Sequence, residues 1–205
     1  VELLKLVADV IIAVGYELQE FDPVRINPDG DKKIIHIHRF PAEVDVHYEV
    51  EVGLQSDISR TLDAVAAAVD RRFEFGQSRQ QIRAMIDSEL KRGEADGRFP
   101  LAPARIVADT RAALRRDDIV LVDTGALKMW MARLYSTYER NTCLISNGLS
   151  TMAWTLPGAI AAKIARPGVR VLVATGDGAF MMNSQEIETA LRERVPIVVL
   201  IWVDD

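Results

Sequence analysis

Short apolar runs alternate with helical patterns along most of the chain. Such runs predict β-strands, because a strand in a parallel sheet is buried on both faces. The predicted strands cover residues 10–14, 33–38, 50–54, 119–122, 143–145, 169–174 and 196–203. Apolar residues at helical spacing predict helices over residues 57–69, 78–92, 103–114, 150–165 and 183–192. This alternation predicts an α/β fold with parallel sheets flanked by helices.

Four local features refine these elements. Asn183 and Glu186 have the spacing of a capping box at the start of a helix. Pro157 is expected to interrupt the helix over 150–165, and residues 93–100 are expected to form a loop. The run 196–203 is continuously apolar, which predicts a central strand that is buried on both faces.

The pattern divides the chain into three parts. Residues 1–70 form part of one α/β domain, residues 71–100 form a polar linker with a surface helix, and residues 101–205 form a second α/β segment. The chain begins with Val1 rather than Met and stops directly after an apolar run. We therefore expect both ends to be cut, so that this chain is a piece of a larger protein.

Composition and charge exclude several classes of protein. A hydrophobic content of 49% with 27% charged residues excludes a disordered tail. No apolar run reaches the roughly 18 residues that span a bilayer. A net charge of -5 without a basic block argues against nucleic-acid binding. The single cysteine, Cys143, cannot form an internal disulfide, which fits a reducing, cytoplasmic location.

The segment 175–179 (TGDGA) is the most informative part of the sequence. It lies between a predicted strand and a helix, and its glycines let a ligand approach the main chain. A right-handed crossover pairs its strand with the strand before Asp204, so Asp177 and Asp204 both lie at carboxyl ends, where open α/β sheets bind ligands. Two carboxylates there suit Mg²⁺ and a diphosphate. An isolated Gly-Asp-Gly is more often only a turn, and the strand contexts favour the metal site.

This segment resembles the cofactor motif of thiamine-diphosphate-dependent enzymes. In that family the motif opens with Gly-Asp-Gly, as at residues 176–178, and usually closes with two asparagines, where this chain has Asp204 and Asp205. Aspartate is still an oxygen ligand, with one more negative charge. The resemblance implies that Asp177 and Asp204 bind Mg²⁺ and that thiamine diphosphate is the cofactor.

Upstream segments resemble the acetolactate synthases within that family. They are residues 125–130 (GALKMW), 146–152 (SNGLSTM), 156–160 (LPGAI) and 180–188 (FMMNSQEIE). Residues 9–15 and 27–43 resemble the second half of the Rossmann-like central domain. Leu127 stands where that family commonly has His, and Met152 takes the position of the apolar residue that props the bent cofactor. The implied cofactor-binding residues are Gly125, Ala126, Leu127, Gly148, Met152, Gly176, Asp177, Gly178, Ala179 and Asp204.

The resemblance implies a complete reaction and an assembly. An acetolactate synthase decarboxylates pyruvate and condenses it with a second pyruvate to give 2-acetolactate. Its active site lies between the subunits of a homodimer or tetramer, and the activating glutamate belongs to an N-terminal domain of the partner subunit. We therefore assign no catalytic residue to this chain and expect the chain alone to be inactive. The helix segment 155–162 is expected to pack against a twin subunit.

Alternative functions and sites remain open at this stage. Another thiamine-diphosphate-dependent 2-keto acid decarboxylase or carboligase, or a non-catalytic diphosphate-binding module, would share these motifs. His36 and His38 lie on one face of a strand, but no third ligand has a suitable spacing for zinc. His38 stands where the family often has an acidic residue, which argues against FAD. Core positions are expected for Met129, Met131, Met181 and Met182.

Overall fold

The computed structural model describes residues 8–18, 22–43, 45–70 and 77–203, together with the side chains of these residues except those of 77–79. The chain divides into two compact units, Val1–Arg79 and Gln80–Asp205. Both units contain a parallel sheet with helices, so the predicted α/β fold class is confirmed. None of the described helices is long and apolar enough to cross a membrane.

The first unit is built on a three-stranded parallel sheet in the order β1-β2-β3. The strands are β1 (Val10–Val14), β2 (Lys33–His38) and β3 (Val50–Gln55), and the helices are α1 (Pro23–Ile26) and α2 (Ile58–Ala68). Strand β2 is the middle strand, and its Ile34 and Ile37 are buried. Asp57 caps α2, because its side chain accepts a hydrogen bond from the backbone N–H of Arg60 at 3.1 Å.

The second unit is built on a four-stranded parallel sheet in the order β5-β4-β6-β7. Its strands are β4 (Ile119–Val122), β5 (Cys143–Ile145), β6 (Val171–Gly176) and β7 (Val198–Trp202). The described helices that accompany them are α3 (Gln77–Ala95), α4 (Pro103–Ala113), α5 (Ala126–Leu134), α6 (Thr155–Ala165), α7 (Asp177–Met182) and α8 (Glu186–Arg192).

Helices cover both faces of this second sheet. On one face, Val120, Val122 and Leu172 pack with Val107 of α4 and Met131 of α5. The opposite face packs against α6; its cluster consists of Ile119, Leu121, Ala159, Val169, Val171 and Val173. Strands β4 and β6 are therefore buried on both sides, which explains why residues 119–122 and 171–174 are continuously apolar.

The predicted helix over 150–165 begins five residues late, because α6 starts at Thr155. Residues before it form an irregular turn in which Ser150 has φ +47° and Ala153 has φ +67°. Pro157 consequently lies in the first turn of α6. The N–H groups of a first turn have no partner within the helix, so a proline there, which lacks an N–H, costs no helical hydrogen bond. The expected interruption at Pro157 is therefore wrong.

The predicted capping box is also wrong. Asn183 ends α7, and α8 begins three residues later, at Glu186. The side-chain amide of Asn183 instead donates to the carbonyl oxygen of Ala153 at 2.9 Å, while its Oδ1 accepts from Gln185 at 3.0 Å. Its capping oxygen is thus used by the side chain of Gln185, and its NH₂ group by a segment 30 residues away, which local spacing does not reveal.

Two further predictions are corrected by packing. Residues 93–95, which are expected in a loop, belong to α3, and the loop begins only at Asp96. Gly93 is buried where α3 closely approaches Ala104 of α4. Strand β7 is a terminal strand of the described sheet rather than a central one, and Val198 is 59% exposed. A continuous apolar run does not by itself distinguish the edge of a sheet from its centre.

The methionines divide between core and surface. Met131 is buried in the second unit, as expected for a core position. Met129, Met181 and Met182 are 70%, 70% and 60% exposed, so the core prediction is wrong for these three. Their positions on α5 and α7 lie on helix faces that point away from the described core.

Candidate functional site

Two loops and a helix start converge at the carboxyl edge of the second sheet. Strands β4, β5 and β6 are neighbours and parallel, so the segments that follow them lie at one edge of the sheet. Gly176 at the end of β6 pairs with Trp202 at the end of β7. Asp177 therefore follows one strand end while Val203 follows its neighbour, and Asp204 lies outside the described residues.

Asp177 is an exposed carboxylate at this edge. It is the first residue of α7, which begins directly after Gly176. A negative charge in the first turn of a helix is stabilised by the free N–H groups there. Gly178 is also exposed, and no atom lies within 4 Å of the position that a Cβ would take at this glycine. Ala179, by contrast, is buried and contributes to the edge only through its main chain.

A second glycine turn precedes α5. Gly125 has φ +143°, a conformation that side-chain-bearing residues rarely adopt, and both Gly125 and Ala126 are exposed. Leu127 is 5% exposed, with its Cδ2 3.8 Å from a Cβ built at Gly125 and 3.7 Å from one built at Gly176. Leu127 therefore packs under both glycine turns as an apolar support, and its side chain offers no hydrogen bond at this position.

The loop after β5 supplies the remaining predicted residues. Gly148 has φ +70° with no atom within 4 Å of a built Cβ, and the side chain of Met152 is 42% exposed. Lys128 ties this loop to α5, since its Nζ donates to the carbonyl oxygen of Ser146 at 2.7 Å and to Ser150 Oγ at 3.0 Å. The loop is thus held against the glycine turn that starts α5.

Asp123 is not among the residues predicted from the sequence; it is fully buried directly after β4. Its Oδ1 accepts hydrogen bonds from the backbone N–H of Thr124 at 2.8 Å and of Ala153 at 2.9 Å. Its Oδ2 accepts from the hydroxyls of Thr155 and Thr175. The signal in the sequence is an acidic residue directly after a short strand that is buried throughout, because such a carboxylate needs partners.

The chemistry of this edge fits a hard cation and a phosphate. Residues 123–127, 146–152 and 176–179 contain neither His nor Cys, so the available ligand atoms are carboxylate, amide, hydroxyl and main-chain oxygens, with backbone N–H groups beside them. Oxygen ligands are those that Mg²⁺ prefers, and it commonly shares them with substrate phosphates. The described residues contain no cluster of three His, Cys, Asp or Glu that could hold a metal alone. A cation at Asp177 would need further oxygen ligands, such as those of a phosphate or of water.

The two histidines of β2 belong to the first unit. They line a cavity of about 230 Å³ together with Tyr16, Glu17 and Tyr48, among others. His36 is buried, and its Nδ1 lies 2.9 Å from Tyr48 Oη. Burial and the neighbouring His38 lower the pKa of His36 below its ordinary value of 6.5. In the structure His36 thus acts as the hydrogen-bond partner of a buried tyrosine.

Two family models match this chain. Residues 2–65 match the thiamine pyrophosphate enzyme central domain, and residues 123–205 match the thiamine pyrophosphate enzyme C-terminal TPP binding domain. The second match covers all the segments that form the carboxyl edge described above. The two matches leave the intervening residues 66–122 unassigned.

Three curated relatives illustrate the similarity along nearly the whole chain. An acetolactate synthase of Bacillus subtilis (strain 168) is 35% identical over 201 residues, which are 96% of this chain and 35% of the relative. A catabolic acetolactate synthase of Raoultella terrigena is 34% identical over 97% of this chain and 36% of its own length. The acetolactate synthase isozyme 2 large subunit of Escherichia coli (strain K12) is 30% identical over 94% of this chain. The chain therefore spans about a third of the length of the relatives it matches.

Proposed function

Because this chain belongs to the thiamine pyrophosphate enzyme family, we propose that it is the cofactor-binding part of an acetolactate synthase. The proposed reaction is decarboxylation of pyruvate and condensation with a second pyruvate to 2-acetolactate, with transferase and lyase character. One observation carries the proposal: the exposed carboxylate of Asp177 and two glycine turns share one sheet edge, inside the span of the matched TPP binding domain. Similarity to relatives named acetolactate synthase supports the choice of reaction.

The residues of this edge have separate proposed roles in holding the cofactor. Asp177 and Asp204 bind Mg²⁺, which neutralises the diphosphate. Main-chain groups of the exposed residues Gly125, Ala126 and Gly178 and of the half-buried Gly176 face the phosphates.

Two apolar side chains and two further main-chain positions complete the proposed site. Leu127 supports the glycine turns from the core, and the half-exposed side chain of Met152 contacts the bent cofactor and excludes water from it. Gly148 and Ala179 contribute main-chain groups. When bound, thiamine diphosphate supplies the carbanion centre and the electron sink for decarboxylation.

The assembly and its setting are part of the same proposal. The glutamate that activates the cofactor comes from an N-terminal domain of the partner subunit in a homodimer or tetramer, so this chain alone is inactive. The site then lies between subunits, and the helix segment 155–162 packs near a twin subunit. We further propose a cytoplasmic enzyme that carries no FAD, with residues 1–70 as the second half of the central domain, 71–100 as a linker and 101–205 as the cofactor domain.

One observation favours a second candidate within the same family. Leu127 is buried and apolar at the position where acetolactate synthases commonly have His, so a side-chain hydrogen bond to the cofactor is replaced by packing. A simple 2-keto acid decarboxylase or another carboligase would tolerate that change. Such an enzyme would release the decarboxylated product instead of joining it to a second pyruvate.

Product analysis of the full-length protein separates these functions. The protein is incubated with pyruvate, thiamine diphosphate and Mg²⁺, and acetolactate and acetaldehyde are quantified. Acetolactate as the main product supports the proposed synthase, whereas acetaldehyde alone supports the decarboxylase. Cofactor binding without either product supports a non-catalytic diphosphate-binding module, and failure to bind the cofactor overturns both enzyme functions.

A further inference from the structure

Asp123 joins the segments that carry the predicted cofactor residues, although it does not face the edge itself. It is 0% exposed, so it is out of reach of any ligand. Its four hydrogen-bond donors come from the turn after β4, the turn before α6, the start of α6 and the end of β6. We propose that Asp123 is the positioning residue that fixes the cofactor-binding turns relative to one another. This inference rests on the proposed function.

Three of the four bonds of Asp123 connect to a residue next to a predicted cofactor contact; the fourth, from Thr155, connects to the start of α6. Ala153, which directly follows Met152, donates its backbone N–H to Asp123 Oδ1 at 2.9 Å. Thr175, which directly precedes Gly176, places its hydroxyl 3.2 Å from Asp123 Oδ2. The same hydroxyl lies 3.2 Å from the carbonyl oxygen of Gly176. Asp123 itself stands two residues before Gly125. A single carboxylate thus sets the spacing of three turns that contact different parts of one ligand.

The carboxylate is chemically suited to this role. Two backbone N–H groups and two hydroxyls all donate to it, and a carboxylate can accept from all four without presenting a hydrogen of its own. An asparagine of the same size keeps an oxygen toward the N–H groups of Thr124 and Ala153. It places an NH₂ group against the hydroxyls of Thr155 and Thr175. These hydroxyls then have to rotate their hydrogens away, so that they accept a hydrogen bond instead of donating one. The link to α6 is therefore the one that an asparagine weakens most, because the Thr175 hydroxyl can still donate to the carbonyl oxygen of Gly176.

The same strand provides a matched control at its other end. Asp118 directly precedes β4 and is 1% exposed, so it is as buried as Asp123. It accepts hydrogen bonds from the N–H of Arg115 at 2.7 Å and from the N–H and Nε of Arg170 at 2.9 and 2.7 Å. Asp118 lies at the amino edge of the sheet, away from the predicted site. Loss of its carboxylate should weaken the fold without disturbing the cofactor turns.

The test compares Asp123→Asn and Asp118→Asn in the full-length protein. The dissociation constant of thiamine diphosphate is measured at saturating Mg²⁺, together with the thermal unfolding midpoint. Asp123→Asn should raise the dissociation constant about tenfold or more, as loss of a supporting partner typically does. At saturating cofactor its kcat should recover most of the wild-type value, since the reacting groups are intact. Asp118→Asn should lower the unfolding midpoint and leave the dissociation constant unchanged.

A third variant keeps the proposal testable if Asp123→Asn fails to fold. Thr175→Val keeps Asp123 and removes only the hydroxyl that links it to β6, so it should raise the dissociation constant by a smaller factor. Wild-type affinity in Asp123→Asn, or in Thr175→Val if the first variant does not fold, overturns the positioning role. An equal loss of affinity in Asp118→Asn overturns it as well. Failure of the wild-type protein to bind thiamine diphosphate is a different result, which overturns the proposed function instead.

Discussion

Replacement of Gly93 by alanine is predicted to destabilise the protein, although this glycine lies in a helix. It is buried in α3, and a Cβ built at this position would lie 2.7 Å from the carbonyl carbon and 2.9 Å from the Cβ of Ala104. Carbon atoms pack at about 3.5–4.0 Å, and the atoms in the way include backbone of α4. Helices α3 and α4 must therefore separate by roughly 1 Å to admit a methyl group.

Two opposed effects determine the size of the change. Alanine is favoured over glycine inside a helix by about 1 kcal/mol. Overpacking of a close contact costs about 1–3 kcal/mol, and here the neighbour is backbone, so the upper part of that range applies. The expected net result of Gly93→Ala is a loss of about 1–2 kcal/mol in the free energy of unfolding.

Urea unfolding of the full-length protein, followed by circular dichroism, measures this change. Gly97→Ala is the matched control, because this glycine is exposed and has no atom within 4 Å of a built Cβ. Its free energy of unfolding should change by less than about 0.5 kcal/mol. A Gly93→Ala protein that is as stable as wild type, or more stable, would show that helix preference outweighs the contact and refute the reasoning.

Three further predictions concern single side chains. Burial raises the pKa of the Cys143 thiol to about 11, so a thiol reagent at pH 8 should label it much more slowly than in unfolded protein; equal rates would contradict this. Burial and His38 lower the pKa of His36 in the folded chain. As the pH falls, the unfolded chain therefore binds a proton at His36 at a higher pH than the folded chain does. Stability should therefore fall from pH 7.5 to 5.5, and His36→Gln should flatten that dependence in acid-unfolding curves. Lys128→Met removes the two bonds to the loop after β5 and should raise the KM for thiamine diphosphate about 5- to 150-fold, from ~0.5–1.5 kcal/mol for each of the two hydrogen bonds; an unchanged KM would argue against that link.

The fold class and most strands could be predicted because they depend on local pattern. Strand β4, for example, is apolar at every position and buried at every position. The family could be recognised because its motifs are contiguous, as at 176–178 and 125–130. Both family matches and the fold confirm those predictions. The individual cofactor residues and the domain limits stay predictions.

What the sequence did not reveal depends on contacts between distant residues. The start of α6 at Thr155 is set partly by Asp123, which holds the turn before it from 30 residues away. Asn183 has the spacing of a cap, yet its side chain bonds to Ala153. Gly93 suggests a loop, but the close approach of α4 requires a residue without a side chain there. None of these partners can be identified from neighbouring positions in the sequence.

We propose that the carboxyl edge of the second sheet binds thiamine diphosphate through Mg²⁺ held by Asp177. Calorimetric titration of the full-length protein with thiamine diphosphate, with and without Mg²⁺, tests it most directly. We expect wild type to bind only with Mg²⁺, Asp177→Ala to lose that binding, and Asp117→Ala, an exposed acid at the amino edge, to retain it. Unchanged Mg²⁺-dependent affinity for thiamine diphosphate in Asp177→Ala would contradict the proposed role of Asp177 as a Mg²⁺ ligand.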